Sequence, residues 1–167
     1  MEILYLEDTQ TARDIVIETN RDRDNYNFNF CDSIIDFDYF LFEEIGYIFY
    51  KAIVMDLCIN MPLISKGKIA KQITELDHDS IPTKCASQIP LYGLDYFIKV
   101  MYTRPETKKM IDEGRVIFFS GHAQKIKSEG LYSVEMPEFK NVPLFDRSED
   151  NATYDLFQLL KKIREMS

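Results

Sequence analysis

The sequence predicts an open, doubly wound α/β sheet of five parallel strands with helices on both faces. Short apolar segments alternate with amphipathic stretches along the 167 residues, which is the pattern of consecutive strand–helix–strand units. The clearest central strand is Ala52–Leu57, which is apolar on both faces and has a single acid near its C-terminal end. Such strands pair in parallel through right-handed crossovers, so we expect helices to cover both faces of the sheet.

The individual elements follow from the spacing of apolar residues between polar turns. The predicted strands are Ile3–Leu6, Tyr26–Cys31, Ala52–Leu57, Val116–Phe119 and Val142–Phe145. The predicted helices are a stretch capped by Thr9, then Asp36–Tyr47, Lys66–Leu76, Gly93–Tyr102, Gln124–Ser128 and Thr153–Glu165. Their expected buried residues are Ala12, Ile15, Val16 and Thr19, then Leu94, Phe97, Ile98 and Met101, and finally Leu156, Leu159, Leu160 and Ile163.

Length and composition fit one folded domain over residues 1–167. The net charge of −8 argues against nucleic acid as a partner, because binding to phosphate backbones depends on positive charge. Cys31, Cys58 and Cys85 are odd in number and far apart, which indicates reduced thiols rather than disulfides or a zinc site. The start MEILYLED lacks the basic region of a signal peptide, and no stretch reaches the roughly 20 apolar residues of a membrane span. We therefore expect a soluble, cytoplasmic protein with no membrane partner.

Polar residues follow the ends of the predicted strands. They are Glu7 and Asp8 after the first strand, Asp56 in the third, Ser120 after the fourth, and Asp146–Arg147 after the fifth. In a doubly wound sheet the carboxyl ends of the central strands open into one crevice, where ligands bind. The sequence therefore predicts that carboxylates, a hydroxyl and a guanidinium meet at one rim.

These residue types suit phosphoryl transfer to a carboxylate. Clustered carboxylates repel one another, and a divalent cation relieves that repulsion. Oxygen ligands alone favour Mg²⁺, which takes a few carboxylates and keeps several waters. An aspartate can then act as the nucleophile toward phosphorus, while a neighbouring cation and hydroxyl hold the phosphoryl oxygens.

The same segments, taken in order, resemble the receiver domain of two-component response regulators. ILYLED resembles the family's first strand with its acidic pair, and AIVMDL resembles the third strand with its phospho-acceptor. GLDYFIKVMY is similar to the third helix, and VIFFSGHA to the fourth strand with its hydroxyl residue. VPLFDRSEDNATYDLFQLL is similar to the fifth strand and last helix. The resemblance covers most of the chain and implies a flavodoxin-like fold with strand order 2-1-3-4-5.

The resemblance also implies a role for each matching position. The implied residues are Glu7 and Asp8 as metal-binding acids, Asp56 as metal ligand and phospho-acceptor, Cys58 as the donor of a backbone carbonyl to the metal, Ser120 as the hydroxyl that turns toward the phosphoryl group, and His122 at a position that tunes the lifetime of the phosphoryl group. The implied cofactor is Mg²⁺.

The chain departs from the family in two places. Arg147 stands where receivers have a lysine, and Lys140 is a lower-ranked candidate for that role. Arginine keeps the charge but differs from lysine in reach and geometry. Asp56 and Gly93 enclose 36 residues, many more than a receiver needs there, so residues 61–90 are interpreted as an insertion between the third strand and the third helix. Its helix SKGKIAKQITE could pack on the domain or meet a partner, and the insertion itself could cover the rim.

The leading hypothesis is a single-domain response regulator. A histidine kinase or phosphotransfer protein would donate a phosphoryl group to Asp56, and the signal would pass by contact with a downstream protein. Such a phospho-acceptor is not a conventional enzyme, although it could hydrolyse its own phosphoryl group. The alternative is a pseudo-receiver, an interaction module that is not phosphorylated. A phosphohydrolase of the haloacid-dehalogenase type is disfavoured, because Cys58 stands where those enzymes place a second aspartate.

Overall fold

The predicted sheet is present and its strand order is confirmed. The computed structural model describes residues 1–21, 26–44, 46–59 and 89–166. The strands are β1 (Glu2–Leu6), β2 (Asn27–Cys31), β3 (Ala52–Met55), β4 (Val116–Ser120) and β5 (Leu144–Asp146). All pairs are parallel and the order across the sheet is β2-β1-β3-β4-β5.

Helices connect successive strands over both faces. They are α1 (Gln10–Arg21), α2 (Ile34–Tyr39), α3 (Tyr92–Tyr96), α4 (Pro105–Asp112), α5 (Ala123–Ser128) and α6 (Ala152–Glu165). Both α2 and α3 continue directly into π-helical turns, Phe40–Glu44 and Phe97–Met101. No helix within the described ranges is long and apolar enough to cross a bilayer.

The structure corrects several predicted elements. Helix α2 begins at Ile34, two residues before the predicted start, because the Ser33 side chain accepts a hydrogen bond from the Asp36 amide and caps the helix. Helix α4 was missed, although Pro105 at its first position is a common helix start. The predicted helix Lys66–Leu76 and nearly all of the 61–90 insertion lie outside the described residues.

The buried faces of the helices also differ in detail from the prediction. Ile15 was expected to face the core, but it is 46% exposed, because the buried stripe of α1 runs through Ala12 and Val16. Ile98 and Leu159 were also expected to be buried, but they are only partly buried and pack against the margins of the two cores. Strand β5 begins at Leu144, two residues later than predicted.

Two apolar layers sandwich the sheet. Leu4, Ile53 and Phe118 lie on one face, in a core with residues of α2 to α5. Tyr5 and Val54 lie on the other, in a core with residues of α1 and α6. Because side chains alternate along each strand, burial on both sides requires the continuous apolar runs seen in the sequence. The strands are therefore held from both faces, and their carboxyl ends are well-defined anchor points.

A buried polar pair joins α2 to α3. The Tyr96 hydroxyl donates to Asp38 Oδ1 at 2.5 Å, and both residues are less than a tenth exposed. Burial raises the pKa of the Asp38 carboxyl above 3.8, while the Tyr96 hydrogen bond and the charge of Arg104 partly offset that rise. The pair satisfies two polar groups that would each be costly to bury alone.

The variant Asp38→Asn is expected to flatten part of the pH dependence of stability. Since the folded protein holds a proton on Asp38 more tightly than the unfolded chain does, wild-type stability falls as pH rises from about 3.8 through the higher folded pKa. The asparagine side chain cannot ionise and can still accept from Tyr96. Urea unfolding between about pH 4 and pH 7 should therefore show the stability difference, variant minus wild type, growing with pH.

Alanine at the same position serves as the control. Asp38→Ala leaves the Tyr96 hydroxyl buried with its acceptor gone and should cost about 1–3 kcal/mol, part of which the double variant with Tyr96→Phe should restore. Parallel pH profiles for wild type and Asp38→Asn would contradict the raised pKa.

Candidate functional site

The register of the sheet brings the polar strand ends together. Leu6 pairs with Met55, so the next residues, Glu7 and Asp56, leave neighbouring strands side by side. The Asp56 amide then donates to the Leu6 carbonyl at 2.9 Å, which extends the ladder by one bond. On the other side of β3, Ser120 ends β4 opposite Asp146, and the Arg147 amide donates to the Ser120 carbonyl at 3.0 Å. The rim is thus built by the regular hydrogen bonding of the strands.

The Asp56 carboxylate lies at the centre of this rim and is only 3% exposed. Its Oδ1 accepts the Ser120 hydroxyl at 2.7 Å and the Cys58 amide at 3.1 Å. Its Oδ2 lies 3.5 Å from Arg147 Nη2. Both oxygens of this buried carboxylate therefore have a hydrogen-bond donor or a positive charge close by.

Glu7 is fully buried beside Asp56. Its Oε1 accepts the Thr9 amide at 2.9 Å, and its Oε2 accepts a hydrogen bond from Arg147 Nη1. Burial, followed by the negative charge of Asp56, raises the pKa of Glu7 to about 7, against the opposing effects of Arg147 and the Thr9 amide. Burial and the neighbouring carboxylate therefore disfavour the ionised form of Glu7 relative to a carboxyl group in water.

The carboxylates of Glu7, Asp8 and Asp56 form a group whose potential ligand atoms all lie within 4.8 Å of one another. Two of the three residues are buried and Asp8 is partly exposed, so the group faces solvent on one side. Three oxygen ligands with excess negative charge fit a hard divalent cation. The pKa of Glu7 is raised first by burial and then by the charge of Asp56, and a cation bound at this group would favour its ionised form.

The guanidinium of Arg147 lies in the pocket and contacts both buried acids. Burial lowers the pKa of Arg147, but the charges of Asp56 and Glu7 outweigh that effect and hold it above its usual value. Asp146, just before it, accepts the Ser148 amide and hydroxyl and so forms the turn into α6. Lys140, the lower-ranked candidate, lies exposed in the turns before β5.

The remaining predicted residues lie around this pocket. Cys58 is half-buried and Cys31 is buried, and the described residues contain no disulfide between them. Cys85 lies outside the described residues. His122 is half-buried at the start of α5, and its amide lies 3.4 Å from Ser120 Oγ. The pocket thus assembles the predicted polar groups, while their roles toward a metal or phosphoryl group stay predictions.

Two neighbours of the pocket were not predicted from the sequence. Tyr5 lies on β1 two residues before Glu7, and its buried hydroxyl lies beside the Arg147 guanidinium. Gly93 packs directly on the Asp56 backbone, and its amide donates to the Leu57 carbonyl at 3.2 Å. The sequence signals were faint, because Tyr5 looks like one more residue of an apolar strand and Gly93 like an ordinary helix start.

The substitution Gly93→Ala is expected to displace the backbone of the pocket at Asp56 and Leu57. Its Cβ would lie 2.3 Å from the Asp56 carbonyl oxygen and 3.0 Å from Leu57 Cα, so the backbone must move. We expect Gly93→Ala to cost about 1–3 kcal/mol in urea unfolding. It should also shift the amide NMR signals of Asp56 and Leu57.

Gly130 provides a comparison in open space. A Cβ there meets nothing within 4 Å, and the cost of Gly130→Ala should come from its positive φ of 72° alone. Its substitution should leave the Asp56 signals in place. Unchanged Asp56 and Leu57 signals in Gly93→Ala would show that the close approach does not constrain the pocket.

Comparisons with known proteins support the fold through structure rather than through sequence. No model of a known protein family matches the sequence, and no curated protein matches it. The structure is similar to the crystal structure of the Mn²⁺-bound form of response regulator Rcp1, with a TM-score of 0.52 and 14% sequence identity. The similarity covers 97% of this chain and 90% of that chain. The strand order, the helices on both faces and this similarity together show that the chain has the receiver fold of response regulators.

Proposed function

We propose that Asp56 accepts a phosphoryl group and that this modification is the signal the protein carries. The observation that supports this most directly is the surroundings of the Asp56 carboxylate. A hydroxyl donor at 2.7 Å, a guanidinium nitrogen at 3.5 Å and two neighbouring carboxylates lie around one buried acid. A structural acid at a strand end needs no such convergence.

The transfer itself is a displacement at phosphorus. A carboxylate oxygen of Asp56 forms the new P–O bond while the bond from phosphorus to the donor breaks, and the electron pair leaves with the donor group. Ser120 and Arg147 are close enough to donate to the oxygens of the transferred group. The physiological donor is, on this proposal, a histidine kinase or a phosphotransfer protein.

Glu7, Asp8 and Asp56 would hold a divalent cation, with the Cys58 backbone carbonyl as a further ligand. Such a cation neutralises the carboxylates and the phosphoryl oxygens during transfer. We propose Mg²⁺ for this role. The solved structure with the similar fold is a Mn²⁺-bound form, which is consistent with a divalent cation at a site of this kind.

After transfer, the output is proposed to be a change in protein contact. The phosphoryl group adds charge where the Ser120 hydroxyl and the Arg147 guanidinium now contact Asp56, so both have a new acceptor. Movement of these groups would alter the surface at the ends of β4 and β5. A downstream protein could then distinguish the two states.

One observation favours the alternative of an interaction module that is not phosphorylated. Arg147 already pairs with both Glu7 and Asp56, so part of the charge that would call for a metal is neutralised by the protein itself. On this alternative the pocket is a structural ion-pair cluster. Asp56→Asn would then leave partner binding unchanged.

Incubation with acetyl phosphate and Mg²⁺ tests the proposal. Intact-mass spectrometry should show one added phosphoryl group, peptide mapping should place it on Asp56, and a chelator should prevent it. Asp56→Asn should abolish the label, and Asp8→Asn should reduce it by roughly 10-fold or more because the cation loses a ligand.

Asp155 offers a matched control, since it is an exposed aspartate in the first turn of α6. Asp155→Asn should be labelled like the wild type. Absence of label on a folded wild-type protein, or label that persists in Asp56→Asn, would refute Asp56 as the acceptor.

A further inference from the structure

The hydrogen bonding of the pocket leaves no oxygen of its two buried acids without a protein donor nearby. Glu7 Oε1 accepts the Thr9 amide, and Glu7 Oε2 accepts Arg147 Nη1. Asp56 Oδ1 accepts from Ser120 and Cys58, and Asp56 Oδ2 lies 3.5 Å from Arg147 Nη2. The guanidinium thus holds one oxygen of each acid, with a different nitrogen on each.

Gly121 leaves room for the planar guanidinium of Arg147 in the pocket. A Cβ on Gly121 would lie 3.3 Å from Arg147 Nη2 and 3.7 Å from Nε, so the group lies against bare backbone. The fully buried Tyr5 hydroxyl lies beside it. The Arg147 side chain is only 20% exposed, so this is a position inside the rim and not a loose surface pair.

We propose that Arg147 is a built-in counter-ion that competes with the divalent cation for Glu7 and Asp56. The inference rests on the proposed function, because it assigns the regulation of the same pocket. A guanidinium can span two carboxylates with separate N–H groups, whereas an ammonium is a single point charge and cannot bridge them in the same way. The resting pocket is thereby stabilised without a metal, and cation binding requires Arg147 to release Glu7.

The competition links cation binding to the position of the arginine. A cation bound by Glu7 and Asp56 displaces the guanidinium, which is then available to donate two hydrogen bonds to a phosphoryl group on Asp56. Because the cation binds only when Arg147 releases Glu7, the free energy needed for that release weakens the binding of the cation. Arg147 therefore raises the cation concentration that is needed to fill the site.

Titration with Mn²⁺, followed by the EPR signal of the free ion, measures that threshold without any phosphoryl donor. At constant ionic strength, Arg147→Lys should bind Mn²⁺ at least about fivefold more tightly than the wild type, because it keeps the charge but loses the bridge. Arg147→Gln should bind more tightly still. Arg164→Lys, the same change on the exposed side of α6, should bind like the wild type.

A second variant leaves the arginine itself in place. Gly121→Ala adds a methyl group 3.3 Å from Nη2, so the guanidinium must move by a few tenths of an ångström. This movement weakens its bridge between the two acids and should also tighten Mn²⁺ binding. Thermal unfolding gives an independent readout. Metal-free Arg147→Gln should melt below the wild type, since its buried carboxylates lack a counter-ion, and Mn²⁺ should raise its melting temperature more than that of the wild type.

The outcomes separate this inference from the proposed function. Equal Mn²⁺ affinities for Arg147→Lys and the wild type would overturn the competition, and labelling of Asp56 by acetyl phosphate would still support the phospho-acceptor. Absence of Mn²⁺ binding in every variant would overturn both the cation site and the competition. Tighter binding in Arg147→Lys and Gly121→Ala, with Arg164→Lys unchanged, is the result that supports it.

Discussion

The pairing of Arg147 with two buried carboxylates is the constraint on which the rest of the pocket depends. Glu7 and Asp56 leave adjacent strands as neighbours, and their charges oppose each other strongly because both side chains are buried. Arg147 comes from the far side of the sheet, beyond β5, and reaches both acids. The ion pairs therefore tie the ends of β1, β3 and β5 together at one rim.

This rim can be held in place because the frame beneath it is rigid. Strands β1, β3 and β4 are buried on both faces, and their ladder continues through the Asp56 amide to the carbonyl of Leu6. Gly93 packs against the Asp56 carbonyl, which fixes the start of α3 to the pocket. A few residues further along α3, Tyr96 is hydrogen-bonded to α2 through Asp38. The backbone of the pocket, α2 and α3 thus form one continuous packed unit.

The shared strand order does not by itself determine the chemistry of the site. The fold is that of a response regulator at only 14% identity, because many apolar sequences satisfy the same two-sided burial of a parallel sheet. The chemistry depends on a few side chains at the strand ends. There the bridging guanidinium of Arg147 supplies positive charge to Glu7 and Asp56 from within the chain.

The pattern of apolar runs was enough to predict the five parallel strands and the acids at their ends, because two-sided burial leaves a direct mark on the sequence. The order of the strands was implied by the resemblance to receiver domains and not by the pattern itself. The missed helix Pro105–Asp112 and the exposure of Ile15 show where the pattern was ambiguous, since a short helix and one apolar residue have weak periodicity. Arg147 could be placed at the rim from sequence, but not its contacts. Arg147 contacts both Glu7 and Asp56 and lies against Gly121. These contacts depend on the side-chain conformation of Arg147 across the strand ends, which only the tertiary structure decides.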